Sequence, residues 1–368
     1  MYKSHNPPKK LTLLGGGGVY NGIVYYKIGD FMRRIRRKKE KQKKKIIIIS
    51  AFLFLIIMTS GYAAFSTNIS LHAKGNIKCN PKIVKEKLLE NLTTTGDGLY
   101  IDEYEEGRYV YKGVNPNNYL KFNDELWRIV SLENDGTIKI YKEELLNQAF
   151  DNGGYRDSNS NGAGGTYCAH SSTGCNAWAA TSNLVGTPAE FKSGNNNGTV
   201  LLDASINTYL NGQYYQELSS DKNYIVSHNF NVGPITWYQD SRSISDVITD
   251  WSQTENEYIW NGKIGLLSPT DVLKVNIENT NCSITDPGIT IYDPDQYNCN
   301  LKTYIYSLNN MILINPRSHL ISIVKNGEIN DANSYNKGSS FTSAVALYLD
   351  SNIKLCGLGT ENNPYEIE

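Results

Sequence analysis

The chain has 368 residues but only five histidines and six cysteines, and it lacks the spacings that would turn them into familiar chemistry. No Cys-x-x-Cys pair occurs, and His170 is the only histidine close in sequence to a cysteine, so the ligand pattern of a zinc finger is missing. Neither Gly-x-Ser-x-Gly nor His-Glu-x-x-His is present, which removes the strained serine turn of hydrolases and the helical zinc site of metalloproteases. Gly15-Gly16-Gly17-Gly18 is not followed by the lysine and Ser/Thr of a phosphate loop, nor by the third glycine of a dinucleotide turn. No internal repeat is evident. Clustered cations are scarce beyond residue 45, which argues against nucleic acid as a partner.

The charge is divided sharply. Residues 1–45 hold 14 of the 36 Lys/Arg and 2 of the 37 Asp/Glu, leaving 22 basic and 35 acidic residues for the rest. The run from Arg33 to Lys45 is broken only by Ile35, Glu40 and Gln42. Ile46 to Met58 is apolar apart from Ser50, and the charge-free stretch extends to Phe65. A helix needs about 20 such residues to cross a bilayer, and flanking Lys/Arg keep that end in the cytosol. The expectation is a single-pass protein of the bacterial cell membrane: a basic cytosolic tail (1–45), a membrane segment (46–65) and an extracellular C-terminal part. The same segment also reads as a signal peptide. Gly61 and Ala63 supply small residues for a cut before Ala64, and cleavage near Ala63 would release the protein. Residues 1–31 show little periodicity, and the reading places the translational start at Met32, directly ahead of the basic run.

All six cysteines, Cys79, Cys168, Cys175, Cys282, Cys299 and Cys356, follow the membrane segment, and their number is even, as expected of disulfides in an oxidising exterior. Six cysteines allow about 15 pairings. The shortest loops are Cys168–Cys175 and Cys282–Cys299, which leaves Cys79 to pair with Cys356 across the domain. Free thiols are the alternative.

Residues 66–97 read as a stalk and an amphipathic helix, with Ile83, Val84, Leu88, Leu89 and Leu92 at helical spacing. The pattern then becomes β, and residues 98–368 are expected to form one α+β domain, loop-rich, with antiparallel strands. Arg108–Lys112 alternates; Tyr119–Phe122 leads into a polar Asn123-Asp124 turn; Leu126–Ser131 and Thr137–Tyr141 flank Asn134-Asp135-Gly136, a hairpin signal. Residues 150–200, rich in Gly, Asn and Ser, read as a long surface excursion. Helix starts are expected at Ser205 and at Ser268-Pro269, a second short helix at 214–218, and strands at 263–268, 320–324 and 344–349.

The order Leu126-Trp127-Arg128-Ile129-Val130, Asn207-Thr208-Tyr209-Leu210-Asn211, Gly265-Leu266-Leu267-Ser268, Ala346-Leu347-Tyr348-Leu349 and Gly359-Thr360-Glu361-Asn362-Asn363-Pro364-Tyr365 resembles an uncharacterised module of exported proteins in low-GC Gram-positive bacteria. That module is itself similar in pattern to the sulfatase-modifying and C-type-lectin-like folds. The resemblance covers roughly residues 107–368 and implies a mixed α+β fold without an assigned activity. Ser343-Ala344 stands where the related modules often carry Arg-Pro, so no site is carried over from the strand that follows.

Two constellations suggest binding. Asp157-x-Asn159-x-Asn161-Gly162 matches the first half of a calcium loop, although Cys168 replaces the closing glutamate and a simple polar turn accounts for the same residues. Trp178, Trp237, Trp251 and Trp260 lie in or near Gly/Asn/Ser-rich stretches, where flat aromatic faces beside planar amides suit a glycan or peptide; the competing reading is that they are core. His170, His228 and His319 are scattered, and the carboxylates Asp102, Glu103, Glu105 and Glu106 read as a solvated edge. No catalytic residue is singled out. The expected function is a non-catalytic surface module that binds a glycan, peptide or partner protein. The alternatives are an extracellular enzyme acting on cell-wall or protein substrates and a structural component of a surface assembly.

Overall fold

The computed structural model describes residues 79–151, 175–185, 200–235, 242–277 and 342–368, shorter stretches at 191–193, 196–198, 283–285, 290–292, 303–305, 310–317, 320–325 and 328–332, and a few positions between 34 and 50. The chain divides into two units, Met1–Ile77 and Lys78–Glu368. The predicted membrane segment at 46–65 lies, Ser50 apart, outside the described residues. Among the described residues no helix is long and apolar enough to cross a membrane.

The second unit is mixed α+β and mostly sheet, as its alternating sequence predicts. Its centre is a meander. Tyr119–Phe122 pairs antiparallel with Glu125–Leu132, which pairs with Ile138–Lys142. The first turn places Asn123 and Asp124 at φ of 56° and 58°, a left-handed pair that matches strand twist and that short polar residues tolerate. The second turn is fixed by Asp135, whose Oδ1 accepts from the Thr137 backbone and hydroxyl at 2.9 and 2.7 Å, and by Gly136 at φ 88°. A register shift between Ile129 and Ser131 bends the long strand. On one side Val345–Leu349 and then Ile264–Leu266 extend the sheet antiparallel. On the other, Tyr365–Ile367 adds parallel to Tyr119–Phe122, followed by Lys354–Cys356 and Lys82–Ile83.

The two ends of the unit therefore meet, and the predicted Cys79–Cys356 disulfide clamps them, with Cα atoms 5.8 Å apart. Cys175 is also disulfide-bonded. Cys168, Cys282 and Cys299 lie outside the described residues. The predicted helix of the 66–97 stretch is Val84–Leu89, which buries Val84 and Leu88 against the domain.

A second sheet runs in the order Glu328–Ala332, Leu320–Lys325, Met311–Arg317, Thr342–Ser343. Helix Pro269–Lys274 begins as predicted, with Pro269 in its first turn and reciprocal Ser268–Asp271 capping bonds. The helix predicted from Ser205 and the one predicted at 214–218 are one continuous run: Ser205–Tyr209, a π-turn at Leu210–Tyr214, then Tyr215–Glu217. The π-turn aims Asn211 at the sheet edge. Its Nδ2 donates to Ile264 O at 2.8 Å and its Oδ1 accepts from Ile264 N at 3.0 Å, so one amide side chain does for this edge strand what a neighbouring backbone would.

Candidate functional site

A cavity of about 440 Å³ opens where the main sheet, two helices and the His228–Asn231 strand converge. Its floor is built from residues far apart in sequence. Lys139 on Ile138–Lys142 stands opposite Tyr348 on Val345–Leu349. Asp271 and Lys274 come from Pro269–Lys274, one turn apart on the same helix face. Glu255 is the last residue of helix Ile244–Glu255, which starts at a Ser243 cap donated to by the Asp246 backbone and buries Ile244, Val247, Ile248 and Trp251. His228 and Phe230 project from a strand paired with Ile259–Gly262. Phe230 lies against Gly265, where any Cβ would come within 2.5 Å of its ring.

The buried charges form a continuous lattice. The Arg108 guanidinium donates to Asp102, to Glu133 at 2.9 Å and to Ser131 at 3.0 Å, and its Nη2 lies 3.7 Å from Asp271. Lys139 donates to Asp271 at 2.6 Å, and Lys274 to Asp102 at 3.1 Å. Lys139 also sits 5.4 Å above the Tyr348 ring and 5.8 Å above Phe230. Three cations thus meet three buried carboxylates. Burial opposes the charge on Asp102 and Asp271, but Lys274 and Arg108 hold the first, and Lys139 and Arg108 the second, below the ordinary carboxylate range. Burial likewise opposes the charges of Lys139 and Arg108, and the surrounding carboxylates more than restore them, so both are raised.

Glu255 is the exception. Among the described residues no cation pairs with it; Thr270 Oγ1 lies 2.6 Å from its Oε2 and the Thr270 backbone donates to Oε1 at 3.3 Å. Burial pushes its carboxyl up to about 8 despite those bonds, so it is protonated at neutral pH. Nearby, the Ser252 hydroxyl lines the cavity without a hydrogen-bond partner among the described residues.

The mouth is different in character. His228 stacks on Tyr348 with ring centroids 3.8 Å apart, and its Nε2 lies 3.4 Å from Asp135. Burial works against the Asp135 charge, yet Thr137 and His228 hold that carboxyl low. Asn229, Asn231 and Asn256 supply amides, Tyr104 an aromatic ring, and Glu105 a carboxylate whose side chain is 47% exposed.

Most of these residues were not legible as a site. The group Asp102, Glu103, Glu105 and Glu106, read as a solvated edge, is split: Asp102 is buried in the lattice because Arg108 folds back onto it, while Glu103, Glu105 and Glu106 are exposed. His228 lines the cleft; His170 and His319 lie outside the described residues. The tryptophan expectation is corrected. Trp178, Trp251 and Trp260 belong to the hydrophobic core, where Trp178 packs edge-on to Trp260 at 5.5 Å, so none offers an open face to a ligand. Gly/Asn/Ser-rich surroundings said where loops run, not which way an indole points. Trp237 and the calcium candidates Asp157, Asn159 and Asn161 lie outside the described residues. Among the described residues no group of His, Cys, Asp and Glu is arranged to hold a metal ion. The chain matches no protein-family model, no curated protein and no solved structure.

Proposed function

We propose that this is a membrane-anchored bacterial cell-surface protein whose outer domain binds a small polar ligand, a segment of glycan or peptide, in the cleft between His228–Asn231 and helix Ile244–Glu255. The resemblance to exported modules with sulfatase-modifying or C-type-lectin-like patterns belongs to this proposal, as does the orientation set by the basic run and apolar segment. The Cys79–Cys356 disulfide fits an oxidising exterior. One observation carries the binding reading: the charged side chains of the floor are paired with one another at 2.6–3.1 Å, while the mouth presents amides, an aromatic ring, an imidazole and the half-exposed Glu105 carboxylate. A floor so locked is rigid scaffolding, and a mouth so furnished suits recognition by hydrogen bonds and stacking. The test is a screen of glycans, peptidoglycan fragments and peptides against the intact protein, with and without calcium. Binding that survives Asn256→Trp, a change that fills the mouth, would refute the assignment to this cleft.

A second reading rests on Glu255. A carboxylic acid kept protonated at neutral pH in a polar cavity is equipped to donate a proton to a leaving group, as an extracellular hydrolase requires. Release of new reducing ends or amines from cell-wall material by the natural protein, lost in Glu255→Gln, would favour it.

A further inference from the structure

We infer that the ligand portion seated in this cleft is electrically neutral and polyhydroxylated, an uncharged saccharide unit, and that the buried charge lattice selects it by rejecting net charge. The inference rests on the cleft being the binding site and adds the class of ligand.

The argument is one of occupancy. Arg108, Lys139 and Lys274 are the cations of the lining, and each is already bound to a carboxylate: Glu133 and Asp102, Asp271, and Asp102 respectively. An anionic ligand would have to share a lysine with the carboxylate already bound to it, bringing like charges together on the buried floor. A cationic ligand finds the buried carboxylates Glu133, Asp102 and Asp271 already paired, and the half-exposed Glu105 at the mouth lies 3.7 Å from Arg108 and 3.9 Å from Lys274, so a cation at Glu105 would sit beside two positive charges. Like charges held close together in a buried site cost more than one new contact returns. Added net charge is therefore resisted in both directions.

What the lattice leaves open is neutral hydrogen bonding. Lys139 uses one of its three N–H donors on Asp271, and Lys274 one on Asp102, so each retains donors that a neutral oxygen can accept from. Among the described residues the Ser252 hydroxyl has no partner, and the Glu255 carboxyl meets only Thr270. This is a mixed set of donors and acceptors in one small space. A sugar hydroxyl donates and accepts through one atom and satisfies both kinds at once. A peptide group separates its donor and acceptor by a fixed geometry. Burial keeps Glu255 uncharged, so it adds no further negative charge to the lining. The volume of about 440 Å³ lies within the range of small-ligand pockets.

The experiment is an affinity comparison on the intact protein with three arms of matched oligosaccharides: N-acetylhexosamine, the free amino sugar and the uronic acid. A fourth arm is uncharged peptides of similar size. Each arm is repeated with Asn256→Trp, and with Lys274→Gln, in which Arg108 still holds Asp102. The expected result is binding of the neutral sugar at least about tenfold tighter than either charged counterpart, a 1.4 kcal/mol margin. That binding is lost in Asn256→Trp, and in Lys274→Gln the preference moves toward the amino sugar. Equal or tighter binding of a charged arm, binding of peptides alone, or an unmoved preference in Lys274→Gln overturns the neutrality inference while leaving the cleft as the site. Binding indifferent to Asn256→Trp, or no binding in any arm, overturns the cleft assignment as well.

Discussion

Replacing Glu255 by glutamine should stabilise the protein, and by an amount that depends on pH. The carboxyl is fully buried and burial moves it from 4.5 to about 8. In the unfolded chain the same group ionises near its ordinary value. The protonated acid is favoured by the fold, so its contribution is complete below about pH 4.5 and is lost as pH rises toward 8. Each unit of displacement is worth about 1.4 kcal/mol. At pH 7 the group in the unfolded chain is ionised while the folded one is not, a penalty on the order of 3 kcal/mol, which rises to about 4 kcal/mol at pH 8, where the folded group is itself half ionised. Glutamine has the same shape, still accepts from Thr270 and carries no charge. Urea unfolding of the natural chain and of Glu255→Gln at half-unit pH steps measures the difference. The curves should coincide near pH 4 and diverge steadily to pH 8. A constant offset, or a glutamine variant less stable at pH 8, would refute the assignment of a protonated acid to this position.

The other perturbations address the lattice, the clamp and the sheet edge. Asp271→Asn removes the carboxylate paired with Lys139 at 2.6 Å, leaving a buried ammonium without its counter-charge, and should cost about 3–5 kcal/mol in urea unfolding. The apolar double change Lys139→Met with Asp271→Leu should recover most of that, and a double change as costly as the single one would contradict a buried pair. Cys79→Ser opens a 277-residue separation and should cost up to about 5 kcal/mol, read as a lower urea midpoint under oxidising conditions. An unchanged midpoint would mean the bond does not clamp the fold. Asn211→Ala removes both contacts that plug the Ile264 edge and should cost about 1–3 kcal/mol, with faster hydrogen exchange at the Ile264 amide as its local signature. Retained protection there would show that something else covers the edge.

Local chemistry made part of this fold readable. Asn123-Asp124 and Asp135-Gly136 turned where their backbone preferences say, and Ser268-Pro269 began a helix because a cap and a proline at the first turn leave few other outcomes. The Cys79–Cys356 clamp followed from counting. Helix Ile244–Glu255 lies outside the sequence expectations, although Ser243 with Asp246 and the spacing of Ile244, Val247, Ile248 and Trp251 carry its signal and put Trp251 on a buried face, not a surface one. The cleft was not readable. Lys139 and Asp271 are 132 residues apart, and Asp102 and Lys274 are 172 apart, so nothing near either partner marks it as half of a buried pair. An isolated carboxylate run looks solvated until the fold brings an arginine back over one member of it.

Amide hydrogen exchange of the intact protein, with and without soluble cell-wall saccharides, puts the account to its most direct trial. Protection should grow at 228–231 and 252–256, the backbone that frames the cleft mouth. Protection that grows only elsewhere in the domain, while those two stretches exchange as before, would contradict it.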